Sequence, residues 1–356
     1  MSFTRLFLIF VCLLITFSSY SIEKDKPRSG EGIHAFLRRH NRDDNQSYQK
    51  FIELNKRKLG KKNKLLTGVY YVLPKKATVS ESDTLDAIPA EMFDEKDNIG
   101  QKALKNNTLK YGNLPLFGEK NARYEIIDNV LEGACFFLAS GHGGPDCGAI
   151  AKVDGHELHE DEYAYDITVR LARNLLQHGA TVYMIVKDPK DGIRDGKYLK
   201  NSRTETCMGR KLVLNQVARL QQYTDAINGL SAKANEKYQR AVFIHLDSRS
   251  KKKQLDVFFY YQDKSSNRKR SLRLAETMRQ TFEYQYEKNQ PGRGFSGTVS
   301  TRNLAVMRNS EPVSIFMELA NMQNTFDQHR YVLDNNRQAL ANWMTLGFIK
   351  DYRNSK

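Results

Sequence analysis

The strongest constraint on the fold is a series of nearly unbroken apolar runs in the last two thirds of the chain. ACFFLAS, TVYMIV, AVFIH, VFFYY, LAVMR and VSIFME read as strands. A strand that is apolar at successive rather than alternate positions must be covered on both faces. The intervening segments have helical periodicity. Ile167, Leu171, Ala172, Leu175 and Leu176 share one face, and Gly179 is placed to end that helix. Leu272, Leu274, Met278 and Phe282 mark a second helix, and QALANWMTLGFIKDY a last one. Strands alternating with helices predict an α/β domain over residues 122–356, a mixed, mostly parallel sheet flanked by helices on both faces.

The first residues have a different character. Arg5, the apolar stretch LFLIFVCLLITF and the small residues of SSYS have the order of an export signal over residues 1–21. The stretch falls short of the ~20 apolar residues that span a bilayer. A retained signal anchor is the rival reading, and the expectation is no stable membrane insertion after cleavage. Residues 30–75 form a small unit of their own. Ile33, Phe36 and Leu37, then Phe51, Ile52 and Leu54, recur at helical spacing, and GVYYVLP reads as a strand closed by proline. With its opening GEGI, Asn55, Gly68 and Pro74, this unit resembles a LysM module, which implies a small α+β fold that binds peptidoglycan. Its first strand is not apparent, and Glu31 stands where that family usually has Asp. Residues 76–121, rich in Lys, Asp, Asn and Ser, read as a connector.

Four residues of the large domain carry the chemistry. His142 follows ACFFLAS in ACFFLASGHGG, His245 closes AVFIH and Glu318 ends VSIFME; Glu160 opens a helix-like stretch. Strand ends are where an α/β sheet presents functional groups to a crevice. Two imidazoles and one carboxylate compose a catalytic zinc site with an open fourth position. The remaining carboxylate, Glu318, sits among apolar residues and must find a partner or shift its pKa. Spacing alone does not choose Glu160 over its neighbours Glu157, Asp161 and Glu162.

Taken in order, ASGHGGPDCGAI, EDEYAYDITVRLA, VFIHLDS and EPVSIFMELANMQN are similar to the motifs of the zinc-dependent N-acetylmuramoyl-L-alanine amidases of the amidase_3 type. The resemblance runs from about Ala134 to Tyr352. It implies His142, Glu160 and His245 as ligands of one zinc ion and Glu318 as the catalytic residue. The implied reaction is cleavage of the amide between N-acetylmuramic acid and the L-alanine of the stem peptide, in wall remodelling or daughter-cell separation. Asp146 and Asp247 are candidate acids to orient the imidazoles, between which the sequence does not choose, and Arg308 is a candidate to meet a stem carboxylate, with a surface salt bridge as the alternative. Cys147, Asp247, Ser248, Ala320 and Asn321 depart from the family pattern, and the polar segments 187–210 and 249–270 match nothing recognisable.

A net charge of +15 favours anionic partners. Export argues against nucleic acid and for anionic polymers of the periplasm or cell envelope. Peptidoglycan is therefore the expected partner, with room for an activator protein. The three cysteines past the signal, Cys135, Cys147 and Cys207, are too few for a disulfide-built scaffold. Whether Cys147 and Cys207 pair is not set by the sequence. Two other functions stay open at this level: a non-catalytic peptidoglycan-binding protein that keeps the fold, and a zinc peptidase that cuts within the stem.

Overall fold

The computed structural model describes residues 23–74, apart from 29, 30, 32, 41, 43, 44 and 61–63, and residues 111–356, apart from 249–253, 264 and 265. The expected signal segment and residues 76–110 of the expected connector lie outside the described residues. The described residues fall into two units.

In the first unit, strand β1 (Lys24–Asp25) pairs antiparallel with β2 (Tyr71–Val72), and helices α1 (Ile33–Arg39) and α2 (Asn45–Asn55) lie between them in sequence. The first strand thus precedes the expected start at residue 30; two residues of mixed polarity give no periodic signal. Ile33, Phe36, Leu37, Phe51, Tyr71 and Leu73 form a separate small core. Buried Asn55 joins helix to strand: Nδ2 donates to the carbonyls of Phe51 and Val72, and Oδ1 accepts from the Val72 amide at 2.8 Å. Each of its polar atoms is spent on backbone that burial would otherwise leave unpaired.

The second unit begins with a hairpin of β3 (Tyr111–Asn113) and β4 (Arg123–Glu125). A 3-10 turn at Pro115–Phe117 buries Phe117 completely, so the folded domain starts before the expected boundary at residue 122. Then come β5 (Ala134–Ser140), β6 (Ile150–Val153), β7 (His156–His159), α3 (Glu160–Gln177), β8 (Thr181–Met184), β9 (Val186–Lys187), β10 (Thr206–Cys207), β11 (Arg210–Lys211) and α4 (Gln216–Ser231). They are followed by β12 (Tyr238–Asp247), β13 (Phe258–Tyr261), α5 (Arg268–Asn289), β14 (Thr298–Thr301), α6 (Ala305–Arg308), β15 (Val313–Asn321), α7 (Thr325–Val332) and α8 (Asp334–Arg353).

Six strands make the central sheet, in the order β14-β13-β15-β12-β5-β8. All neighbours are parallel except β13 and β15, which gives the expected mixed, mostly parallel sheet. β5 and β15 are buried at every residue, as their unbroken apolar sequences require. Successive side chains point to opposite faces. Phe136 therefore joins a core with α3, α5 and α8, while Phe137 joins one with α4 and α6. Burying each phenylalanine contributes about 2 kcal/mol, so this strand anchors both layers. Helix α3 ends at Gln177 with His178 as its cap, followed by Gly179 at φ +80°, and the Gly179 and Ala180 amides close the last turn on Leu176 and Leu175.

One expected strand is a helix. LAVMR forms the short α6, and the edge strand is Thr298–Thr301 instead. Four or five apolar residues do not distinguish a short strand from one helical turn. The polar segment 187–210 carries β9 and β10, which with β11 make a three-stranded sheet. Cys135, Cys147 and Cys207 are all free thiols.

Candidate active site

The site forms at the carboxyl ends of β5 and β12 and near that of β15. His245 and Glu318 are register partners on adjacent parallel strands. His142 sits in the Gly-rich turn after β5, and Glu160 is the first residue of α3. Two glycines make room for this arrangement. A Cβ at Gly141 would strike the His245 ring at 2.2 Å, and one at Gly148, whose φ is +67°, would meet Glu160 Oε2 and the His142 ring at 2.7 Å. His142 itself holds φ +62°, a conformation that non-glycine residues adopt at a cost of about 1–2 kcal/mol.

Glu160 lies between the two imidazoles. Its Oε2 is 3.1 Å from His142 Nε2, and its Oε1 is 3.0 Å from His245 Nδ1. Both oxygens also accept from backbone: Oε2 from the Ala149 amide at 3.0 Å and Oε1 from Leu246 at 3.1 Å. One ligand atom from each of the three residues lies within 4.8 Å of the others. Burial works against charge on His142, but Asp146 and Glu160 outweigh it and push the ring up to about 10. Glu160, despite its own burial, is held below the usual carboxylate range by the same two imidazoles. Burial keeps His245 neutral more firmly than usual. The three groups thus favour a positive charge between them, and the His₂Glu donor set suits a divalent zinc ion.

The turn is tied down from elements distant in sequence. His142 Nδ1 is 3.1 Å from Asp146 Oδ2, which in turn accepts from Arg219 of α4 at 2.5 Å. That contact leaves Nε2 as the nitrogen facing Glu160. Tyr223 donates its hydroxyl to the His142 carbonyl at 2.9 Å, and the Gly144 amide donates to Glu205 Oε2 at 2.8 Å. Arg219, Tyr223 and Glu205 were not apparent in the sequence, because each acts over 61 to 81 residues. Asp247 follows a register shift at the end of β12, where its charge bears on Glu318, while His245 Nδ1 faces Glu160.

Glu318 is buried among apolar strands, with 7% of its surface exposed, and its Oε2 has no hydrogen-bond partner. Burial, then the charges of Glu160 and Asp247, raise its pKa well above the ordinary glutamate value, and Arg302 offsets this in part. The Arg302 guanidinium lies 3.8 Å from Glu318 Oε1. Arg308 is exposed and donates to Asn303 Oδ1 at 2.8 Å. Beside the site, the buried carboxylates of Asp161, Glu162 and Glu205 gather within 4.8 Å. Burial, then the charges of Glu162 and Glu205, push Asp161 up to about 8.

Residues 137–350 match the family described as N-acetylmuramoyl-L-alanine amidase, of the Amidase_3 type. Among solved structures, the chain is similar to the amidase AmiC2 of Nostoc punctiforme, at 20% identity and a TM-score of 0.43, over 63% of this chain and 99% of that one. It is also similar to the amidase Ami1 of Mycobacterium abscessus, at 17% identity and a TM-score of 0.45, over 62% and 100%. A third likeness is to Cwp6 of Clostridium difficile, at 19% identity and a TM-score of 0.43 over 61% of this chain. The chain spans only 29% of the Cwp6 chain. No curated protein matches.

Proposed function

The chain belongs to the N-acetylmuramoyl-L-alanine amidase family, and from that premise we propose that it hydrolyses the amide between N-acetylmuramic acid and the L-alanine of the stem peptide. The observation that carries this reading is the pairing of two features. Three zinc-type donors converge within 4.8 Å, and beside them a buried carboxylate has one oxygen without a partner.

His142, Glu160 and His245 would hold zinc, which would polarise the scissile carbonyl, acidify the attacking water and offset the charge of Glu160. Asp146 fixes the His142 ring, and the Ala149 and Leu246 amides fix Glu160, so the ligands are oriented before any substrate arrives. Glu318 takes the proton of the attacking water on its unpartnered Oε2. The burial that raises its pKa then makes it a ready donor, and it returns that proton to the departing amine nitrogen. An amide nitrogen leaves poorly without such a proton.

The reading places the protein at the cell envelope, on peptidoglycan, in wall remodelling or daughter-cell separation. The N-terminal unit serves as a LysM-like wall-binding module, and residues 1–21 as its export signal. Among the described residues no helix is long and apolar enough to cross a membrane.

Digestion of purified peptidoglycan by the zinc-loaded protein tests the activity. New L-alanine amino termini without new sugar reducing ends, abolished by a chelator and restored by zinc, are the expected products. Cleavage between stem residues would replace this reading with a zinc peptidase. Wall binding with no new termini would replace it with a binding protein.

A further inference from the structure

We propose that Arg302 is the receptor for a free carboxylate on the stem peptide, one residue beyond the scissile nitrogen, and so sets which stems are cut. The proposal rests on the amidase reading above and names a determinant of its substrate.

Arg302 directly follows edge strand β14. Its guanidinium covers the Tyr260 ring at 5.2 Å from the centroid. Tyr260 neighbours Phe316 at 6.2 Å, and Phe316 stacks on His245 at 4.3 Å. An aromatic row spanning β13, β15 and β12 therefore leads from a proposed metal ligand to the arginine, on the sheet face that carries Glu318. Arg302 is 47% exposed. Its 3.8 Å separation from Glu318 Oε1 is too long for a hydrogen bond. Among the described residues its guanidinium donates no hydrogen bond at all. An arginine held by an aromatic ring, with a fork of five N–H donors unspent, is suited to bidentate capture of a carboxylate.

The stem offers one at a suitable distance. The scissile nitrogen belongs to L-alanine, and the next residue, glutamate, continues the chain through its side-chain carboxyl, which leaves its α-carboxylate free. One residue step of about 3.8 Å plus the bonds to the carboxyl carbon puts that group about 6 Å from the scissile nitrogen. Glu318 must come within about 3 Å of the same nitrogen to protonate it. With the 3.8 Å to Arg302 and a further ~3 Å hydrogen bond the straight-line reach is about 10 Å, so a group about 6 Å away lies within it when the path turns sharply at Glu318. Where the α-carboxyl is amidated, the group is neutral and the bidentate charged contact is lost.

The test compares zinc-loaded wild-type protein with Arg302→Gln and Arg302→Lys on two muropeptides that differ only in a free or amidated α-carboxyl. Zinc content and thermal midpoint of the variants are checked alongside. The expected wild-type preference in kcat/KM for the free acid is about 10- to 100-fold, carried by KM. Arg302→Gln should lower it to within about twofold, and Arg302→Lys should retain part of it. A residue that only balanced the charge of Glu318 would change both substrates alike. Equal rates on both substrates by the wild type, or a preference that survives Arg302→Gln, would overturn the proposal. A parallel calorimetric titration with the released stem tripeptide and its α-amide separates the two readings. Carboxylate-dependent, Arg302-dependent binding without cleavage would sink the amidase activity and keep this inference; absence of both binding and preference would sink the inference.

Discussion

Replacing Gly148 by alanine probes the ligand set without altering any ligand. The position holds φ +67°, where a side chain costs about 1–2 kcal/mol. The added Cβ would stand 2.7 Å from Glu160 Oε2 and 2.7 Å from the His142 ring, against 3.4 Å for ordinary contact. Both ligands must therefore withdraw by about 0.7 Å. Glu160 has little freedom to do so, because its oxygens also hold the Ala149 and Leu246 amides. Zinc–oxygen and zinc–nitrogen bonds are about 2.0–2.2 Å long, so this displacement is a large fraction of a bond. Gly148→Ala should lose about 10- to 100-fold in zinc affinity, the range seen when ligand orientation is disturbed. The metal-free protein should lose about 2–3 kcal/mol of stability from the strained dihedral and the crowding. Competition against a chromophoric chelator measures the first quantity and urea unfolding of the apoprotein the second. Unchanged zinc affinity in a folded variant would refute the placement of the metal between His142 and Glu160.

Three further outcomes follow from the same geometry. Glu318→Gln should keep full zinc stoichiometry while turnover on muropeptides falls by about 10²- to 10⁴-fold; near-full activity would remove Glu318 from proton transfer. Asp146→Asn should weaken zinc by about 10- to 100-fold through loss of the anion opposite His142 Nδ1, read by the same chelator competition. Asp161 is raised to about 8 in the folded protein, against an ordinary 3.8, so the folded chain keeps a proton that the unfolded chain releases. Stability contributed by that proton is complete below pH 3.8 and is lost as pH rises toward 8. Asp161→Asn should thus gain on the wild type with rising pH, by about 2–4 kcal/mol near pH 7.5 in urea melts of the apoprotein, and a pH-independent difference would refute the buried-carboxyl reading.

The large domain was legible where its signal is local. β5 and β15 announced themselves by apolar runs, because burial on both faces leaves no polar alternation. His142, His245 and Glu318 stood out because each interrupts or closes such a run, and the structure brings them together with Glu160. What stayed illegible depends on contacts distant in sequence. Glu205 beneath the Gly144 amide lies in a polar stretch with no periodicity, and Arg219 and Tyr223 belong to a helix with weak amphipathicity. Their importance exists only once α4 packs beside the turn. Arg302 and Arg308 flank the same short segment, and only the fold distinguishes the arginine that faces Glu318 from the one that faces solvent.

The scattered origin of the ligands also sets an order in time. The His142 turn holds an unfavourable dihedral and is secured by Glu205, Arg219 and Tyr223, while the third donor arrives only with residue 245. Loops this long close slowly, because chain entropy must be spent before the contacts form. A chain that stops short of residue 245 holds only two of the three proposed ligands, His142 and Glu160, too few to retain zinc. The proposed ligand set is therefore complete only once β12 lies between β5 and β15. Exposure to metal during synthesis would leave the nascent chain catalytically silent.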